Sequence, residues 1–353
     1  MTGRKTWGRR SFLAAVGVAG LAGCAGPYVP APSPSRALPH QPGVVDPALA
    51  RTELVAFDVT ARDRDGLAAV LRALSAPAPG ATATVAVGAS LFDGRFGLDR
   101  PRRLTPMPSF RNDVLDSQWC HGDLLVQVSA DTEEPIRTAL AREIPGVTPR
   151  WRLPGFHPGG EARNLFGFRE GAGNPDTADA GLMDQHIWVQ PGDDEPAWCA
   201  GGSYQVVRLI RLAMPIWDAE PVATQERVFG RSKDTGAPLG QARLYEKPDY
   251  TNDPGGRVIA LDAHIRRANP RTPGSDARQI LRRSHSYRRT PEDSGQIFVC
   301  FQRDVELGFA TIQRRLAGEA LEKYLLPFGG GYYFVLPGAT GDDFLGATML
   351  SGR

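Results

Sequence analysis

The chain is poor in cysteine, with four in 353 residues, at positions 24, 120, 199 and 300. Cys24 falls in an N-terminal leader. The remaining three are an odd number and supply no disulfide framework, and two of them sit in apolar or aromatic surroundings where a buried free thiol is common. Neither sign of charge dominates. Forty-one Lys and Arg face thirty-nine Asp and Glu, for a net charge of +2, which argues against a dedicated nucleic-acid binder. No run reaches the roughly 20 apolar residues of a membrane-spanning helix, which leaves the chain end as the route to membrane attachment. Histidine is also scarce, six in all, at 40, 121, 157, 186, 264 and 285, so candidates for a metal ligand are few.

The leader is informative. Gly8-Arg9-Arg10-Ser11-Phe12-Leu13, followed by the short apolar AAVGVAGLAG, resembles a twin-arginine export signal, and Leu21-Ala22-Gly23-Cys24 resembles a lipoprotein box in which Cys24 would carry lipid. Residues 1–24 are therefore expected to target the protein to the periplasm or cell envelope. Residues 25–45 are rich in proline and small residues, the composition of an extended tether in which His40 would be exposed.

Beyond the tether the pattern is α+β. ELVAFDVTA, TATVAVGAS and GDLLVQVSA read as strands, with helices at DRDGLAAVLRALS and TEEPIRTALAREI. After Gly201 a similar order returns. SYQVVRLIRLAM, GQIFVCFQRD and GYYFVLPG read as strands, with helices at PVATQERVF and ELGFATIQRRLAG. The chain is long enough for one large or two moderate cores, and we place one domain at 46–200 and a second at 201–353.

One stretch organises the rest: DAHIRRANPRTPGSDARQILRRSHSYRR, residues 262–289, which sets His264 among arginines 266, 267, 271, 278, 282, 283, 288 and 289. On composition it reads as a basic surface loop or an anion site. The alternative is an imidazole that binds iron while nearby guanidinium groups pair with the carboxylates of the same cofactor, which describes haem.

AHIRRANPR and QILRRSHSY resemble the haem-ligand segment of the dye-decolorizing peroxidases, and FGFREGAGNP, residues 166–175, is similar to their Gly-Phe-x-Asp-Gly-x-x-Asn-Pro signature. HQPGVVDP, VAFDVTA, ASLFDGRFGL, FGRSKDTGAPLG and FQRDVELGFATIQRRLAG resemble the exported branch of the same family, in order, from about residue 40 to 340. The resemblance implies two ferredoxin-like halves with antiparallel sheets and haem in the C-terminal half. It also implies haem b, iron protoporphyrin IX, bound non-covalently, as the chain contains no CxxCH.

By the same resemblance His264 is the proximal iron ligand, with Asp304 as the carboxylate behind it, and Arg282 is the distal arginine. Glu170 stands where the family usually has the aspartate that shuttles a proton. Ser284 is a candidate for holding a distal water, Arg231 and Lys233 for pairing with propionates, and Gly167, Gly171, Asn174 and Pro175 for shaping backbone over the porphyrin. His285 competes with His264 on chemistry alone. The implied activity is reduction of hydrogen peroxide with oxidation of a bulky organic reductant. The alternatives are release of iron from haem, as in a deferrochelatase, or a haem-binding and delivery lipoprotein with weak peroxidase activity. A homo-oligomer is left open.

Overall fold

The computed structural model describes residues 40–160, 162–275 and 279–352. The export signal, Cys24, the tether as far as residue 39, and Arg278 lie outside the described residues.

Nine strands build the sheet: β1 (Arg51–Val59), β2 (Thr82–Gly88), β3 (Leu124–Ala130), β4 (Val147–Phe156), β5 (Ser203–Leu212), β6 (Leu281–Arg282), β7 (His285–Thr290), β8 (Asp293–Gln302) and β9 (Leu325–Val335). The helices are α1 (Arg64–Leu74), α2 (Glu133–Leu140), α3 (Ala180–His186), α4 (Met214–Asp218), α5 (Val222–Phe229), α6 (His264–Ala268), α7 (Thr311–Leu316) and α8 (Ala347–Ser351).

The first half runs β1-α1-β2-β3-α2-β4, with the strands side by side in the order β2-β3-β1-β4 and every pairing antiparallel. That is the ferredoxin-like arrangement. Helix α1 starts where Asp63 accepts a hydrogen bond from the Gly66 N–H at 2.8 Å, an N-cap, and it buries Leu67, Val70 and Leu71 along one face. Each of these buried side chains contributes about 1.5–3 kcal/mol of apolar transfer.

The second half repeats the plan. β5 pairs with both β8 and β9, and β7 and β6 both pair with β8, which gives the order β7-β8-β5-β9 with antiparallel neighbours. The two halves meet through β2 against β9 over three residue pairs, and through β4 against β7 at the single pair Phe156 and Ser286. Because β5 also bonds β8, the strand order closes on itself.

Two elements depart from the sequence reading. Strands β4 and β7 were not anticipated, since arginines, prolines and glycine interrupt their patterns. The last residues of the 25–45 tether are also not loose. The Gln41 amide donates to the Val85 and Leu336 carbonyls at 2.8 Å each and accepts from the Val85 N–H at 2.9 Å. It continues the β2–β9 junction where the short ladder ends. His40, expected to be exposed, stacks on Trp188 with ring centroids 3.9 Å apart, and Val44 is fully buried.

Candidate active site

The site is assembled from two excursions out of the C-terminal sheet and the loop that precedes it. His264 is the first residue of α6. Its Nδ1 lies 2.7 Å from Oε2 of Glu319, a buried carboxylate held in place because the Ala320 N–H donates to the Asp262 carbonyl. A carboxylate only accepts, so Nδ1 carries the proton and Nε2 presents its lone pair. Nε2 has no hydrogen-bond partner among the described residues, and 24% of the side chain is accessible.

The loop bearing Glu170 is pinned by its own backbone. Asn164 and Phe168 bond each other across the turn, Glu170 N–H donates to the Ala162 carbonyl at 2.6 Å, and Gly167 at φ 88° makes the reversal. Glycine suits 167 because its φ lies in the left-handed region, and a Cβ there would also push aside the end of the Lys233 side chain, whose Cε would lie 2.5 Å away. Phe168 stacks on Phe229 at 4.0 Å, and Phe229 meets the His264 ring edge-on at 5.9 Å. One aromatic contact chain therefore fixes the acid loop relative to the imidazole.

Glu170 accepts a hydrogen bond from the Gln296 amide at 2.9 Å. Burial pushes its carboxyl above the usual range, opposed by the nearby charge of Arg282 and by hydrogen bonds from Asn164 and Gln296. Arg282 is held by the Gly171–Asn174 turn. Its backbone N–H and Nε donate to Asn174 Oδ1 at 3.1 and 3.2 Å, Asn174 Nδ2 donates back to the Arg282 carbonyl at 2.9 Å, and the guanidinium also bonds the Ala172 carbonyl. Gly171, at φ 74°, starts that turn. Arg282 thus faces Glu170 as a fixed charge whose own hydrogen bonds go to the loop.

Arg231 is 8% exposed, and its guanidinium donates to the carbonyls of Gly236 and Leu244. Among the described residues no carboxylate pairs with it. Burial, together with Arg282, pulls it down to about 10. The Tyr250 hydroxyl nearby is buried without a partner among the described residues. An uncompensated buried cation calls for an anion. An imidazole with an open Nε2, a buried guanidinium lacking its carboxylate and an orphaned hydroxyl are the donor set that an iron porphyrin with carboxylate arms would satisfy. The residues fit haem.

The structure corrects two expectations. Asp304 does not stand behind His264. Its Oδ1 accepts from the Glu306 and Leu307 N–H groups at 2.8 and 2.9 Å, and its Oδ2 faces Arg103 at 3.4 Å, so both oxygens serve a helix start and a surface ion pair. Glu319 has the role instead. Lys233 is likewise engaged elsewhere: its ammonium donates to Gln225 at 2.6 Å while its stem packs under Gly167.

Ser284 is buried, and its hydroxyl accepts a long 3.4 Å bond from the Val299 N–H, a sheet contact and not a contact with Glu170 or Arg282. His285 is 3% exposed, bonds the Leu49 carbonyl at 2.9 Å and stacks on His157, which removes it as a rival ligand. Glu319, Gln296 and Asn164 were missed from sequence. The available signal for Glu319 was its setting, AGEAL, an acid flanked by small and apolar residues, whereas Asp304 adjoins Arg303 and Glu306.

Residues 75–157 match the family model described as Dyp-type peroxidase, N-terminal, and residues 161–340 match Dyp-type peroxidase, C-terminal. Proteins named deferrochelatase from Escherichia coli and Shigella flexneri are 43% identical, with 88% of this chain and 86% of theirs covered. The crystal structure of a DyP-type peroxidase from Cellulomonas bogoriensis superposes with a TM-score of 0.79 at 32% identity, covering 88% of this chain and 96% of that one. Ferric DtpA from Streptomyces lividans gives 0.79 at 33%, covering 88% and 95%. With both family models matched in sequence order over the same fold, the chain belongs to the Dyp-type peroxidase family.

Proposed function

We propose that this protein binds haem b non-covalently between His264 and Glu170 and reduces hydrogen peroxide there, taking electrons from a bulky organic reductant. The observation that carries the reading is the His264 imidazole, turned by Glu319 so that Nε2 is left without a partner among the described residues, with His264 and Arg282 both close enough to Glu170 to act on its carboxyl. His264 would be the iron ligand, and Arg231 would pair with a propionate.

Haem supplies, when bound, the iron at which peroxide is cleaved and the oxidising equivalents that a reductant then quenches. The chain's own part is to hold and move a proton. Glu170 accepts a proton from one peroxide oxygen and returns it to the other, a task suited to a carboxyl that burial shifts toward neutrality. Arg282, fixed by Asn174 and Ala172, stabilises negative charge as it develops on the departing oxygen. Glu319 fixes the ring of His264 in the tautomer that leaves Nε2 free.

The deferrochelatase name of the relatives favours one second reading, release of iron with the porphyrin left intact. The absorption spectrum of the purified protein before and after one equivalent of peroxide tests the first reading. Fluorescence of iron-free porphyrin after incubation with haem tests the second. A haem spectrum with neither response would leave a binding and delivery protein. We further propose export by the twin-arginine route and a lipid anchor at Cys24, both read from the leader. Mass spectrometry of the native N-terminus tests them, and an unmodified start beyond Cys24 would rule out the anchor.

A further inference from the structure

We propose that Gln296 is a positioning residue for Glu170, its amide fixing where the carboxylate sits and how tightly it binds a proton. The proposal rests on the reading of Glu170 as the proton carrier.

The strand explains why a polar side chain stands there. Along β8, Ile297, Val299 and Phe301 point into one apolar cluster, while Phe298 and Cys300 pack in the other. Gln296 belongs to the second row. The other glutamine of that row, Gln302, is 1% exposed and spends its amide on the Tyr204 carbonyl at 2.8 Å, a bond that serves the sheet. Gln296 instead reaches the Glu170 carboxylate, 126 positions earlier in the chain.

Glu170 needs such an anchor. It sits within an irregular loop, and the Glu170 N–H to Ala162 bond fixes its backbone but leaves a side chain with two methylenes free to turn. Arg282 does not anchor it, because that guanidinium bonds Ala172 and Asn174 and acts on Glu170 through its field. The carboxylate is therefore held by one neutral amide, that of Gln296, with the Asn164 side chain nearby. Neutral donors suit the chemistry. A cation in hydrogen-bond contact would hold the carboxyl ionised throughout, whereas an amide steadies the anion modestly and can turn its carbonyl to accept from the acid once protonated.

The test uses the haem-loaded protein and Gln296→Leu, close in size but without the amide, in the Glu170 background and in Glu170→Asp. Haem content and Soret position should not change. The carboxyl C=O stretch in pH-difference infrared spectra should report a Glu170 midpoint raised by about one pH unit. The second-order rate with peroxide should fall about tenfold, as expected for loss of one hydrogen bond to a charged group. In the Glu170→Asp background, where the shorter side chain does not reach Gln296, the same change should alter the rate by less than about twofold. An unmoved infrared midpoint, or equal rate losses in both backgrounds, would overturn the proposal. A wild type that shows no haem-dependent reaction with peroxide would instead strike the reading of the site, while the infrared midpoint still reports whether Gln296 governs Glu170.

Discussion

Glu319 Oε2 lies 2.7 Å from Nδ1 of His264, bringing together residues 55 positions apart. The bond orients the ring and, by drawing on its N–H, makes Nε2 a stronger donor. Glu319→Gln keeps the shape and removes the charge. We expect haem affinity to fall about 10- to 100-fold and the reduction potential to rise. Asp304→Asn should change neither, since Asp304 serves a helix start and Arg103. Haem titration and spectroelectrochemistry of the two variants check this pair of outcomes.

His264→Ala removes the imidazole while leaving Arg231 and Arg282 in place, and is expected to fold but to retain little haem. A full, unaltered Soret band in that variant would sink the ligand assignment. His285→Ala should leave the spectrum nearly unchanged and instead lower stability by about 1–3 kcal/mol, because it removes a buried stack and the bond to the Leu49 carbonyl.

What was legible in the sequence and what was not follow a physical line. The six principal strands carry mostly apolar or β-branched runs that local pattern could find, whereas His264, Glu170 and Arg282 stood out only because their contiguous motifs resemble a family's, since composition alone reads as a basic loop. Glu319 and Gln296 act through contacts made only once distant segments pack, and nothing next to them in the chain marks the partner. Asp304 illustrates the converse: an acid near the right segment whose oxygens fold toward Glu306 and Leu307. Lys233 carries the charge expected of a propionate partner, but the close approach of Gly167 over its stem turns its ammonium to Gln225.

The join between the two halves should be acid-sensitive. Beside the single pairing of Phe156 with Ser286, His157 and His285 stack with centroids 4.2 Å apart, and both His157 ring nitrogens are buried without partners among the described residues. Burial lowers His157, and burial with the neighbouring His157 charge lowers His285 to about 4. The fold therefore favours neutral rings, and between the unfolded value of about 6.5 and the folded value of about 4 the unfolded chain binds more protons. Stability is fully present above about 6.5 and falls as pH drops toward 4, by about 3 kcal/mol from His285. Denaturant unfolding across that window, in wild type and His285→Phe, should show the slope flattened in the variant.

Glu170 separates two accounts of how peroxide is activated. If its carboxyl moves the proton, Glu170→Gln should slow the first reaction with peroxide by about 10² to 10⁴ while haem occupancy stays the same. If the fixed charge of Arg282 suffices, Glu170→Gln should be nearly silent and Arg282→Leu should abolish the reaction. The geometry favours the first account. Burial raises the Glu170 carboxyl, the Gln296 amide holds it, and the Arg282 guanidinium is tied to Ala172 and Asn174, so it supplies a field and not a proton path. Glu170→Asp adds a direction: the shortened side chain withdraws from Gln296, so a site built around glutamate should lose rate. A site that merely tolerates the extra methylene should hold or gain it. Stopped-flow absorbance in the Soret region for these three variants decides between the accounts, and a Glu170→Gln rate equal to wild type would overturn the role assigned to the carboxyl.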